Sequence, residues 1–381
     1  FLIFIFKNMI MKFNHKFIKM KSQFFFFFFF KKKIKNKNNE IIGLNKFIEK
    51  SLYNKNDGFY MSKNPFGKQG DFITSPNISI FFSEMLSIWI LSIWEKLKKP
   101  KKINIIDLGG GNGEMSYNIL QTLNNFPKFK NFFNIYIHEK SPLLKKKQKI
   151  RMKDRKVFWI DDLRNIKKGP CLFLANEFFD AIPIKQYLKT DKIWKERKVK
   201  FSDKGDIKFF DIRTNIKLLE KKIGFKLSKN QDFLEISGDM INYLKIISKI
   251  LKKQNGGLLI IDYGYYDKKM KNTLRGYANH KIVNILDYYK KCDITYSLSF
   301  NFLKKIAIKN NFIVSGLTTQ GNFLRKLGIV ERAEIISKKL PFTEKANIFY
   351  RIDKLIGNKF MGDVFKVMLL TNKKNKFNIG F

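Results

Sequence analysis

The stretch INIIDLGGGNG, residues 103–113, limits what this chain can fold into more than any other. Ile103, Ile105 and Ile106 form an apolar run that stops at Asp107, and Gly109, Gly110, Gly111 and Gly113 follow at once. Behind them, EMSYNILQTL places apolar residues at Met115, Ile119 and Leu123, which is helical spacing. Strand, glycine turn and helix in that order make the opening unit of an α/β sheet. The turn then sits at the carboxyl end of a strand, where such sheets hold nucleotide-like ligands. Glycines there let the backbone approach a ligand with no Cβ in the way.

The spacing G-G-G-x-G is not that of a dinucleotide turn, and an acid stands two residues before the first glycine. A carboxylate suits a ligand that carries a cation better than it suits a pyrophosphate. S-adenosylmethionine carries an ammonium and a sulfonium, and class I methyltransferases hold it on a D/E-x-G-x-G-x-G turn after the first strand. A Gly-rich turn by itself also serves as a tight turn in any doubly wound fold.

Further acids recur where later strands end. FFNIYIHEK reads as a second strand ending at Glu139, placed to accept the two hydroxyls of a ribose. KVFWIDDL reads as a third strand ending at Asp161 and Asp162, placed for an adenine amino group. CLFLANEFFDAIPI gives a buried strand, after which Asn176, Glu177 and Asp180 leave at the catalytic edge of the sheet. Carboxylates there orient a substrate nucleophile, although Asp180 also stands where it would cap a following helix.

The rest of the chain supplies the frame. IIGLNKFIEKSLY has apolar residues at 41, 44, 48 and 52, a helix face. Residues 78–97 read as one strongly apolar helix entered through Thr74, Ser75 and Pro76. Glu84 near its middle makes it a buried helix and not a membrane span. Residues 185–250 are Lys-rich and read as an insertion, with a hairpin turning at Asp203 to Gly205 and a helix over DMINYLKIISKILKKQ. GGLLIIDYGYY is a buried strand, TLRGYANHK a loop, FIVSGLTTQ a strand, NFLRKLGIVERAEIISKKL a helix and MGDVFKVMLLTN a closing strand.

Composition adds limits. The formal charge is +44, almost all of it Lys, alongside abundant Asn, Ile and Phe. These are residues of A/T-rich codons, so codon bias accounts for the charge more economically than a phosphate-bearing partner. The Lys is spread along the chain and not gathered in a stripe, so nucleic acid is not the expected partner. Cys171 and Cys292 are the only cysteines, and the three histidines do not cluster with them. No disulfide framework and no metal site is therefore expected. Residues 1–39 contain no acid and include the Phe24 to Phe30 run. Their apolar runs are too short to span a bilayer, no small-residue cleavage site follows, and the stretch is not expected to join the fold. An over-extended reading frame or a fragment is expected, with initiation at an internal Met such as Met9, Met11 or Met20.

Several motifs occur together in order: GDFITSP (70–76), DLGGGNG (107–113), EKSPLLKKKQ (139–148), NEFFDAIP (176–183), IDYG (261–264), TLRGYANHK (273–281), DIT (293–295) and MGDVFKVML (361–369). Taken together they resemble the MidA-like methyltransferases, which include a mitochondrial complex I assembly factor acting as a protein arginine methyltransferase. The likeness runs from about residue 41 to 371. It implies an α/β, class I Rossmann-like fold with a doubly wound, mostly parallel sheet, an N-terminal helical subdomain over 40–100, and a methyltransferase domain over 101–381 with its insertion at 185–250. It also implies S-adenosyl-L-methionine as cofactor and an arginine of a complex I core subunit as acceptor. Glu177 and Asp180 are then expected to hold the substrate, with Asp71 of the GDF loop behind them. Gly109, Gly111, Gly113, Asp107, Glu139, Asp161, Asp162 and Asn176 are expected to hold the cofactor. Asn77 and Ser299 stand where the family carries acids, so no catalytic role is assigned to either. Other readings are a cofactor-binding assembly chaperone with little turnover and a nucleic-acid methyltransferase. A bacterial cytoplasm is the expected location, with the mitochondrial matrix as the alternative.

Overall fold

The computed structural model describes residues 40–62, 65, 74–372, 375 and 377–381. The acid-free stretch 1–39 and Asp71 lie outside the described residues.

The main sheet is built on β1 (Ile103–Leu108), β2 (Phe133–His138), β3 (Val157–Trp159), β4 (Cys171–Asn176), β5 (Gly256–Tyr265), β6 (Ile313–Thr319) and β7 (Phe365–Thr371). Their order across the sheet is 6-7-5-4-1-2-3, with the short strand Leu298–Ser299 beside the end of β5. From β3 to β5 every pairing is parallel. Only β7 runs against its neighbours β5 and β6. This is the doubly wound, mostly parallel sheet expected from the sequence.

Parallel strands covered on both faces read as continuous apolar runs, and the two cores follow the pleat. Ile106, Leu108, Phe173, Ala175, Leu258, Ile260, Met368 and Leu370 face one core, with Met240, Leu244 and Leu303 from the helices above them. Ile103, Ile105, Leu172, Leu174, Leu259, Ile261, Val367 and Leu369 face the other, against Trp89, Ile93, Met115 and Ile119. Because these strands run parallel, the carboxyl ends of β1, β2, β4 and β5 all open toward one edge.

Four sequence readings change. Residues 41–43 are a strand and not the first turn of a helix; Ile41–Gly43 pairs antiparallel with Lys198 to Lys200, and the helix starts at Leu44. The apolar helix of 78–97 is two helices, Ser75–Ile78 and Ile80–Lys96, because Ser79 is extended (φ −155°, ψ 139°) and its hydroxyl accepts from the Phe81 N–H. The TLRGYANHK segment is a hairpin, Arg275–Ala278 with Lys281–Val283, turned at Asn279 and His280, both with positive φ. Gly328, at φ +88°, divides the later helix into Gln320–Lys326 and Ile329–Ser337.

The insertion forms its own antiparallel sheet from Lys185–Thr190, Ile193–Phe201, Ile207–Arg213 and Phe233–Ile236, to which Ile41–Gly43 adds. It holds two hairpins, the expected one at 202–206 and another turning at Asp191 and Lys192. Glu84 is covered by Arg332, whose Nε and Nη2 donate to the two carboxylate oxygens at 2.9 and 3.1 Å. No described helix is long and apolar enough to cross a membrane.

Candidate functional site

A cavity of about 980 Å³ opens where β1, β2, β4 and β5 end. One wall is the glycine turn. Gly109 sits at φ +73°, and a Cβ there would meet Cδ2 of Phe178 at 2.8 Å, so both backbone conformation and space require glycine. Its N–H donates to the His138 carbonyl at 2.8 Å, tying the turn to β2. Gly111 and Gly113 also have positive φ, and Gly113 is the N-cap of the helix Glu114–Asn124. The Asn112 side chain accepts from the Glu114 N–H at 3.1 Å and helps start that helix.

Asp107 is buried at the end of β1 and accepts from the Ser116 hydroxyl at 2.6 Å. Burial outweighs that hydrogen bond and lifts its carboxyl to about 7. Glu139, just past β2, accepts from the Ser141 N–H at 2.8 Å and the Gln148 amide at 3.2 Å. Burial raises it as well, against the lowering by these donors. Gln148, fully buried, ties the wall together: its amide also donates to the Gly111 carbonyl at 2.8 Å, and its oxygen accepts from Trp159 Nε1 at 2.9 Å. Asp161 and Asp162 line the rim of the same cavity, but each already has a basic partner. Lys145 holds Asp161 at 2.7 Å and lowers it. Arg164 grips Asp162 through side chain and backbone, setting it at about 2.

The opposite wall is acidic. Asn176 ends β4, and Glu177 follows with φ +50°, a conformation non-glycine residues seldom adopt. Such backbone strain collects at functional sites, where the surroundings enforce it. Here the Glu177 N–H donates to the Ile261 carbonyl of β5 at 2.9 Å. The Glu177 carboxylate accepts from the Ser75 N–H and the Asn176 amide, each at 3.2 Å. Burial, then the nearby Asp180 charge, pushes it up to about 8. Asp180 is 8% exposed; Thr295 Oγ1 donates to its Oδ2 at 2.8 Å, and its Oδ1 is buried with no hydrogen-bond partner. Burial sets Asp180 at about 6. No helix follows Asp180, so the capping reading falls away. Among the described residues no Lys, Arg or His pairs with Glu177 or Asp180. Such acids cost folding free energy unless a cation joins them. Asn176 Oδ1, on the same rim, is also buried without a partner.

The two walls meet through Phe178, whose ring lies on Gly109 and packs edge-on against Phe179 and Tyr243. The expected residues Asp107, Gly109, Gly111, Glu139, Asp161, Asp162, Asn176, Glu177 and Asp180 therefore share one cavity; Gly113 stands just behind it. Asn77 and Ser299 do not line it: Asn77 accepts from the Thr74 hydroxyl, and Ser299 caps the helix Phe300–Lys309 by accepting from the Phe302 N–H.

Several lining residues carry no local signal. Tyr60 donates to Asp293 at 2.8 Å, and Ser141 Oγ donates to the Tyr60 carbonyl at 2.6 Å, so one residue bridges both walls. Asp262 lies fully buried beneath the acids and accepts from the Phe179 and Asp180 N–H groups at 3.0 and 3.3 Å, fixing the loop that presents Asp180. His138 touches the Ile160 carbonyl and the Tyr243 hydroxyl, and burial lowers its pKa. The EKSPLLKKKQ, IDYG and DIT motifs flagged Ser141, Asp262 and Asp293 in the sequence; no motif flagged Tyr60 or His138. Among the described residues no cluster of three His, Cys, Asp or Glu is arranged to hold a metal ion.

Residues 85–318 match the family described as "Putative S-adenosyl-L-methionine-dependent methyltransferase". The chain is 26% identical over 354 residues to the mitochondrial protein arginine methyltransferase NDUFAF7 of Danio rerio, covering 87% of this chain and 83% of that one. It is 28% identical to the Xenopus tropicalis protein of that name over 352 residues (85% and 81%), and 26% to the human one over 351 (85% and 79%). Among solved structures, a Burkholderia thailandensis protein bound to S-adenosyl-homocysteine superposes with a TM-score of 0.76 at 20% identity, covering 90% of each chain. A native crystal structure from the same organism gives 0.73 at 21%, covering 89% of each.

Proposed function

The chain belongs to the family of S-adenosyl-L-methionine-dependent methyltransferases, and from that premise we propose that it methylates a guanidinium nitrogen of an arginine in a polypeptide, a large catalytic-core subunit of respiratory complex I. The single observation that carries the acceptor half is the pair of Asp180, buried, and Glu177, half-buried, both without a described basic partner and in one cavity with the glycine turn.

The residues of the turn side fit the methyl donor. The cavity beside the glycine turn, the acids Asp107 and Glu139, and the unpartnered Asn176 Oδ1 offer room, negative charge and an acceptor. Gly109, Gly111, Gly113, Asp107, Glu139 and Asn176 would hold it, with Asp161 or Asp162 at its adenine end. Bound there, S-adenosyl-L-methionine supplies an electrophilic methyl on a cationic sulfur.

The chain's own residues do the rest. A guanidinium stays charged at any ordinary pH and is a poor nucleophile. Carboxylates at Glu177 and Asp180 draw its charge toward two of its nitrogens by bidentate hydrogen bonds and hold the third in line. Positioning of this kind accounts for much of the acceleration. The nitrogen must also give up a proton, and a carboxyl tuned near the working pH is suited to take it; Glu177, at about 8, is that group. Asp180, held by Thr295, orients the acceptor. Tyr53, Tyr60 and Tyr296 line the cavity and exclude water from it.

The acidity of the wall also weighs against a nucleic-acid acceptor, whose phosphates it would repel, despite the charge of +44. The mitochondrial relatives support the matrix location over a bacterial cytoplasm.

The test is direct. The protein is incubated with labelled S-adenosyl-L-methionine and the host's complex I core subunit, and methyl groups are mapped by mass spectrometry. Methyl on an arginine, lost in Glu177→Gln with cofactor binding retained, is expected. Full activity of Glu177→Gln on the same arginine would remove the carboxylate's role.

A further inference from the structure

Behind the acidic wall lies a second, smaller groove of about 340 Å³ between the insertion and the helix Gly238–Gln254. That is too much for a packing defect and lies at the small end of ligand-sized clefts. It shares Pro183, Asp239 and Asn242 with the main cavity, so the two adjoin. Its floor is aliphatic, from Leu219, Ile236 and Ile241. Leu218, at its mouth, is 67% exposed and extends the aliphatic floor to the surface. Two cations stand on the rim. Lys185 is paired with Glu196 at 2.9 Å, but Lys222 makes no ion pair with a described residue and is exposed.

We propose that this groove binds the substrate polypeptide beside its target arginine, taking an aliphatic side chain on Leu218 and Leu219 and an adjacent carboxylate on Lys222. The inference rests on the arginine-methylation reading, which places the arginine in the adjoining cavity. Continuity of the two spaces selects the same polypeptide as occupant, and the free Lys222 charge selects an acid. An acidic wall for the arginine and a basic rim beyond it make a two-signed surface. Such a surface sets register by attraction at both ends and by repulsion of reversed sequences. It also gives the Lys-rich insertion a use that the methyl-transfer centre leaves open.

The experiment is a selection by binding. A pool of short peptides with one fixed arginine and randomised flanks is captured on the immobilised full chain loaded with S-adenosyl-homocysteine, then sequenced. Leu, Ile or Val next to Glu or Asp is expected to be enriched on one side of the arginine. Lys222→Glu is expected to turn the acidic preference into a basic one, and Leu218→Asp to abolish the aliphatic one, both with unchanged cofactor affinity. A captured peptide whose arginine is replaced by alanine is expected to bind Lys222→Glu about fivefold to tenfold more weakly than the unaltered protein. The same flanks enriched by the unaltered protein and by Lys222→Glu, or no flank preference at all, would overturn the proposal. Methyl transfer is scored separately on the captured peptides. If none is methylated but Lys222 still governs the alanine peptide, the groove stands and the arginine reading falls.

Discussion

Burial lifts the Glu177 carboxyl from its ordinary 4.5 to about 8, so the folded protein holds a proton there over a range in which the unfolded chain has released it. The sign follows from linkage: where the folded state binds more protons, stability falls as pH rises. Each pH interval costs about 1.4 kcal/mol. Roughly 3 kcal/mol is therefore lost by pH 7, and the loss levels off above pH 8. Glutamine keeps the shape, and its oxygen accepts from Ser75 and Asn176 as the carboxylate does, but it never ionises. Glu177→Gln is thus expected to be more stable than the unaltered protein, with an advantage small near pH 5, about 3 kcal/mol at pH 7 and steady above pH 8. In a chain of this length that is a rise of a few degrees in Tm. The assay is thermal unfolding of both proteins without ligand from pH 5 to pH 9. A Tm difference that does not change with pH, or that turns toward the unaltered protein as pH rises, would refute the reasoning. The same variant is expected to lose activity, the usual exchange between stability and function at a strained site.

Gly109→Ala forces a Cβ to within 2.8 Å of the Phe178 ring at φ +73°. At about 1–3 kcal/mol for such strain, cofactor affinity by calorimetry is expected to fall roughly 5- to 150-fold; unchanged affinity would separate the turn from the cofactor. Asp107 must be ionised to meet a cation and sits at about 7, so S-adenosyl-L-methionine is expected to bind more tightly as pH rises from 6 to 8. Ser116→Ala, which removes a lowering hydrogen bond, is expected to move that midpoint upward. Thr295→Val removes the hydroxyl that donates to Asp180; kcat/KM is expected to drop about tenfold, worth about 1–2 kcal/mol, with cofactor affinity intact. A parallel loss of cofactor binding would mean Thr295 acts on the fold instead. Binding of an arginine peptide at pH 7 is expected to release close to one proton, mostly from Glu177, measurable by calorimetry in buffers of different ionisation enthalpy.

What the sequence made legible was local. The strand-turn-helix at 103–124 and the acids that follow β2, β3 and β4 are written in runs of a few residues, because parallel strands buried on both faces must be apolar until they end. What it hid depended on distant partners. Ile41–Gly43 is a strand only because Lys198 to Lys200 lies beside it, and three apolar-leaning residues before a helix look like helix. Tyr60, Gln148 and Asp262 gain their places through hydrogen bonds to segments far along the chain or through the loop that Asp262 anchors. Asp161 does follow β3, but its pairing with Lys145 at 2.7 Å joins it to a residue sixteen positions earlier that its own strand does not announce.

The antiparallel seat of β7 between β5 and β6 bears on how the protein is made. Among the described residues β7 follows every other strand, and it alone joins β6 to the rest of the sheet. On the ribosome, β5 therefore waits with an open apolar edge, and β6 has no place in the sheet until β7 emerges. Such edges are templates for wrong pairing. A chain stalled or cut before residue 365 would carry a complete glycine turn and acid pair on a sheet that cannot close. It would be matter for chaperones and proteases before it was an enzyme.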